Sequence, residues 1–147
     1  MNGGAVQDRF FKPDHEDGPF TNLKAFNDWV FAAATLQKPA GDGTIQLLDH
    51  PDVYRDLLPD TCSVYFTHGD LNPANIMVSG TPGSYKVSGI IDWEQAGWYP
   101  EWWEYSKMQF GVAETDEWIL DDWPDRITEP HTDACHAFME YTLWRGG

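Results

Sequence analysis

Cysteine, basic side chains and long apolar runs are what this sequence has least of. Its two cysteines, Cys62 and Cys135, form no Cys-x-x-Cys pair and no Cys/His cluster, which excludes a disulfide framework and a zinc site of familiar spacing. Both thiols are expected to be buried. Lys plus Arg number 9 against 24 Asp plus Glu, for a formal net charge of -15 and a pI near 4.3. A phosphate backbone or an anionic lipid surface would repel such a chain, so neither nucleic acid nor membrane is an expected partner. No apolar stretch approaches the roughly 20 residues that a spanning helix needs. The opening "MNGGAVQDRF" also lacks the charged-then-apolar layout of a signal peptide, and a cytoplasmic location is the expectation.

What remains is ample for one packed core: 147 residues, 41% of them hydrophobic and 15% aromatic, with no internal repeat or low-complexity linker. A single domain over residues 1–147 is expected. Thr21 reads as an N-cap, followed by Leu23, Phe26, Trp29, Val30 and Ala33 at helical spacing and closed by Pro39 and Gly41. "HPDVYRDLLPD" reads as a shorter helix ended by Pro59, and "CSVYFT" as a strand. "NIMVSG" and "YKVSGIID" are short apolar runs separated by the turn cluster "SGTPGS", which suits a β-hairpin. Two further helices follow, one opened by Pro100 in "PEWWEYSKMQF" and one by Pro130 in "PHTDACHAFMEYTLWRGG". The expected fold is α+β and mainly helical, with a small hairpin at its centre.

The polar groups cluster at that hairpin. "FTHGDLNPANIMV" breaks a strand-like run with His68, Gly69 and Asp70 and places Asn75 five residues after the Asp, and "IIDWEQ" puts Asp92 behind the second strand. Phosphoryl transfer calls for a carboxylate to accept the proton of an attacking hydroxyl, plus oxygen ligands that hold Mg²⁺ against nucleotide phosphates. The five-residue interval from Asp70 to Asn75 resembles the one between the base Asp and the metal-binding Asn of a protein-kinase catalytic loop, and the roles that follow are what that resemblance implies. Asp70 is then the candidate base and His68 a brace for its loop. Asn75 and Asp92 are the candidate Mg²⁺ and nucleotide ligands, one neutral and one anionic oxygen. Gly69 allows the tight turn and Pro73 stiffens it. Asp and Asn also favour turns for purely local reasons, and a His can be a satisfied core residue. His15, His50, His131 and His136 have only that plainer reading.

Taken together, His68-Gly69-Asp70, Asn75 and Ile90-Ile91-Asp92-Trp93-Glu94 resemble the signature of the aminoglycoside phosphotransferase and choline kinase family. The chain is most similar to a fungal branch of it, from about Asp8 to the end, through "GPF…FNDW", "YRDLLPD" and "IIDWEQAGWYPEWWEY". The resemblance implies a protein-kinase-like C-terminal lobe without the N-terminal lobe, disorder at residues 1–7, and ATP with Mg²⁺ as cofactors. No glycine cluster here matches a nucleotide-covering loop, and no Lys follows a Val-Ala-Ile-type strand. Forgoing one charge-assisted phosphate bond costs about 1.5–3 kcal/mol, so a lone lobe is expected to bind ATP weakly and to be weak or inactive alone. The implied function is that of the catalytic lobe of an ATP-dependent small-molecule phosphotransferase. The alternative is a non-phosphorylating enzyme of cyclase or isomerase type, or a small-molecule binder, that uses Asp70 and Asp92 as acid or base.

Two other features bear on the substrate. Trp93, Trp98, Tyr99, Trp102, Trp103 and Tyr105 read either as a pocket wall or as helix core. The seven acids of "ETDEWILDDWPDRITE" read either as a solvated face or as a field that attracts an amine-bearing substrate. Loss of a covering lobe would also leave an apolar face open to self-association or to a partner chain.

Overall fold

A computed structural model describes residues 18–34 and 53–145. Expectations attached to residues 1–17 and 35–52, among them disorder at 1–7 and helix closure by Pro39 and Gly41, lie outside the described residues.

The helix α1, Leu23–Ala34, forms where apolar residues recur every three or four positions, and Phe26, Trp29, Val30 and Ala33 are all buried. Its cap is Asn22 rather than Thr21: the Asn22 side chain accepts from the Ala25 N–H at 2.9 Å. The segment before Pro59 is shorter than expected, a 3₁₀ turn over Arg55–Leu57 among the described residues. Arg55 is buried there and bonds to Asp28 of α1 (2.9 Å) and to Asp60 (2.6 Å), tying the turn to the helix. Burial opposes the Arg55 charge, but the two carboxylates outweigh it and raise its pKa. Burial likewise works against the Asp60 carboxylate, yet the hydrogen bonds from Arg55 and Asn27 hold it below the usual range.

Four strands follow, β1 (Val64–Thr67), β2 (Ile76–Ser79), β3 (Lys86–Ile90) and β4 (Gly97–Pro100). They make two antiparallel ribbons instead of the single hairpin expected. One is β2 with β3, irregular between Met77 and Val78, and the other is β1 with β4, in register from Val64↔Pro100 to Thr67↔Gly97. Pro100 is therefore the end of a strand rather than the start of a helix. That placement costs no ladder bond that an edge position needs, since Pro lacks only the N–H.

The helix α2, Trp103–Gln109, starts three residues later, and α3 (Glu117–Leu120), α4 (Trp123–Ile127) and α5 (Thr132–Arg145) complete the chain. Residues 114–129 thus carry two short helices anchored by the buried Trp118. Helix α5 packs on both α1 and α2. Between them sits an aromatic core in which Trp102, Trp103, Phe138 and Tyr141 have no exposed surface. Burial of each such ring contributes about 2–3 kcal/mol, and edge-on pairs such as Trp103–Phe138 (5.3 Å) add specificity of shape. Cys135 is buried as expected, whereas Cys62 is only half-buried. No helix among the described residues is long and apolar enough to cross a membrane.

Candidate functional site

Strand β1 ends at Thr67 because its partner β4 begins at Gly97, and the chain turns away through His68, Gly69 and Asp70. Gly69 has φ +79°, and a Cβ there would lie 2.8 Å from the Gln95 carbonyl oxygen, so both backbone and space demand glycine. The buried His68 ring braces the turn with both nitrogens. Its Nδ1 accepts from the Asp70 N–H at 3.2 Å, which leaves the proton on Nε2 to donate to the Ile91 carbonyl at 2.8 Å.

A 3₁₀ turn over Pro73–Asn75 returns the chain to β2, capped by Asn72, whose side chain accepts from the Ala74 N–H at 3.0 Å. This fold-back brings Asn75 against Asp70. Asn75 Nδ2 donates to the Asp70 carbonyl at 2.8 Å and to its carboxylate at 3.3 Å, which leaves the Oδ1 of the same amide without a hydrogen bond among the described residues. The neighbouring strand is docked by the Ile91 N–H, which donates to the Asn75 carbonyl at 3.0 Å. Asp92 follows directly, exposed and with left-handed backbone (φ 64°, ψ 56°). A non-glycine residue pays about 1–2 kcal/mol for that conformation. Ile91 is held on both its N–H and its C=O, which is how the strain is sustained.

The structure therefore brings Asp70, His68 and Asn75 into direct contact and sets Asp92 two residues beyond the end of β3. Among the described residues no group of three or more His, Cys, Asp or Glu side chains gathers as a metal centre. The oxygens at this turn are a mixed set of carboxylate and amide.

Sequence reasoning missed Glu104. From α2 its carboxylate accepts from the His68 N–H at 2.6 Å and from the Gly69 N–H at 3.2 Å. Burial pushes the Glu104 carboxyl above the usual carboxylate range, and the N–H groups of His68, Gly69 and Leu71 only partly offset it. The contact spans 36 residues, and nothing local announces it.

Beside this turn lies a cleft of about 580 Å³ between β1, the start of α2 and the α4–α5 connection. Its lining includes the aromatic Tyr65, Phe66 and Trp93 and the titratable Glu101, Glu104, Glu129 and His131. Trp93 stacks parallel to Phe66 (6.1 Å), leans on His68 (4.6 Å) and donates its Nε1–H to the Ile90 carbonyl at 2.8 Å. The aromatic cluster thus divides. Trp93 lines the cleft and Trp98 is exposed beside Phe66, while Tyr99, Trp102, Trp103 and Tyr105 are core.

Neither a curated protein nor a solved structure matches the chain. A family does: the phosphotransferase enzyme family matches residues 11–137.

Proposed function

The chain belongs to the phosphotransferase enzyme family, and from that premise we propose that it is the catalytic, C-terminal-lobe-like unit of an ATP-dependent enzyme that phosphorylates a hydroxyl on a small, amine-bearing molecule. The observation that carries this reading is the double contact of Asn75 Nδ2 with the carbonyl and carboxylate of Asp70. It holds a base candidate and an amide oxygen side by side, as transfer to a hydroxyl requires.

The donor chemistry fits a magnesium ion. Asn75 spends its nitrogen on Asp70 and keeps its oxygen, and Asp92 adds a carboxylate held in a strained turn. Hard oxygens with few carboxylates are what Mg²⁺ takes, leaving room for water and phosphate. When bound, the magnesium nucleotide supplies the γ-phosphoryl group and neutralises its charge. Asp70 orients the acceptor hydroxyl and takes up its proton. His68 keeps the Asp70 N–H and the Ile91 carbonyl at a fixed separation, so that Asp70 and Asp92 hold their relative position. An acceptor amine would be drawn to the cleft, whose lining includes the rings of Phe66 and Trp93 and the carboxylates of Glu101, Glu104 and Glu129.

The test is transfer of the γ-phosphate of Mg-ATP to a panel of amino alcohols and aminoglycosides, followed by phosphorus NMR. Phosphomonoester formation that disappears in Asp70→Asn supports the reading. Turnover that needs no nucleotide and survives EDTA would replace it with the cyclase or isomerase alternative.

A further inference from the structure

Three glutamates line the cleft, Glu101, Glu104 and Glu129, and they are not equally free. Glu104 spends one oxygen on the His68 N–H and the other on the Gly69 N–H. Glu101 accepts from the Ser63 N–H at 3.1 Å. The Glu129 carboxylate has no hydrogen bond and no ion pair among the described residues, and only its main-chain carbonyl is engaged, by the Thr128 hydroxyl at 3.2 Å. A carboxylate that already holds main-chain N–H groups gains less from a ligand, so Glu129 is the one whose charge is available. It stands in the connection 128–131 between α4 and α5, and a single side chain touches both ends of that connection. Tyr105, buried on α2, donates its hydroxyl to Asp125 of α4 at 2.8 Å and sets its ring edge-on to His131 at 6.5 Å. The main chain is closed at the same two places. Thr128 N–H donates to the Pro124 carbonyl at 3.1 Å, and the His131 carbonyl accepts from Cys135 N–H at 2.9 Å. An exposed ion pair ordinarily loses much of its worth to the entropy of the groups it orders, and a connection clamped at both ends has less of it to lose.

We propose that Glu129 is the specificity-determining carboxylate of the cleft, the one that pairs with the acceptor's ammonium, and that Tyr105 is the positioning residue that holds the connection 128–131 in place for it. The inference deepens the reading of the cleft as the acceptor's place in the proposed phosphotransferase, and rests on it. Phe66 and Trp93 take the apolar body of a ligand whatever its charge. Charge selection and body binding therefore fall to different residues and can be measured apart.

The experiment uses the full chain and two probes of nearly the same shape: benzylamine, which is protonated at neutral pH, and benzyl alcohol, which is neutral. Each is titrated while the Trp93 indole N–H is followed by NMR. Benzylamine is expected to half-saturate the wild-type signal at a concentration about fivefold lower than benzyl alcohol. Glu129→Gln should raise the benzylamine midpoint by about fivefold and leave that of benzyl alcohol in place. Tyr105→Phe, which keeps the ring and drops the bond to Asp125, should lose part of the preference, again with benzyl alcohol unmoved. Glu101→Gln should keep it. A preference that survives Glu129→Gln, or that disappears in Glu101→Gln instead, overturns the assignment to Glu129. A Tyr105→Phe chain that weakens both probes by the same factor, or neither, overturns the positioning role. Equal midpoints in the wild-type chain, or a Trp93 signal that no probe moves, overturn the whole inference. Phosphoryl transfer to the amino alcohol panel remains a separate readout: transfer with an unmoved Trp93 signal leaves the phosphotransferase reading standing and removes only the cleft from it.

Discussion

Asn75 donates from one nitrogen to both the carbonyl and the carboxylate of Asp70, at 2.8 and 3.3 Å. A single amide therefore fixes the main chain and the side chain of the residue five positions before it. Removal of Asn75 is expected to release Asp70, whereas Asp70→Asn keeps the carbonyl contact. Asp70→Asn should lower phosphoryl transfer by about 10²- to 10⁴-fold, the usual contribution of a general base, and leave Mg-ATP binding within about twofold. Turnover and calorimetric titration of the same sample check the pair.

Gly69 tests the turn. Gly69→Ala places a Cβ 2.8 Å from the Gln95 carbonyl at a φ of +79°. Backbone strain and the clash together should cost about 2–3 kcal/mol in urea unfolding. Gly83, also at positive φ but with nothing within 4 Å of its would-be Cβ, should lose less when changed to Ala, about 1 kcal/mol. Equal losses at the two positions would mean that the Gln95 contact carries no weight.

Arg55 tests how α1 is joined to the rest. Arg55→Met strands Asp28 and Asp60, which face the buried guanidinium at 2.9 and 2.6 Å. Asp60 is partly exposed and can rehydrate, so the loss should fall at the low end for broken buried pairs, about 3 kcal/mol. For a domain of this size that corresponds to a Tm lower by about 6–12 °C, read by calorimetry.

Tyr105 predicts a pH dependence. Its hydroxyl donates to Asp125 at 2.8 Å, and burial followed by that carboxylate raises its pKa from 10.0 to about 12. A group raised in the folded state contributes stability that is whole below its unfolded value and is lost as pH rises through its folded value. Stability should therefore fall between about pH 10 and 12, and Tyr105→Phe should flatten that fall in urea titrations. A variant that falls as steeply as the wild-type chain would show that another group governs the alkaline limb.

What the sequence makes legible here is local. The β2–β3 hairpin is written as two apolar runs around a Gly/Pro cluster, and the pairing of Asp70 with Asn75 needs only one turn of chain. Helix α1 and its apolar face can be read for the same reason. Strand β4 could not be read in that way: four residues ending in Pro carry little strand propensity, and its partner lies 30 to 36 positions earlier. The grip of Glu104 on the turn is likewise a product of tertiary packing, as is the shape of the aromatic cleft. Capping at Asn22 instead of Thr21 is a one-residue ambiguity between two good cap formers.

Anomalous diffraction from a crystal soaked in Mn²⁺ and a nucleotide tests the central claim most directly. The account predicts a peak within about 2.0–2.3 Å of Asn75 Oδ1 and of an Asp92 carboxylate oxygen, lost in Asp92→Asn. A peak elsewhere on the acidic surface, or one that survives that substitution, would contradict it.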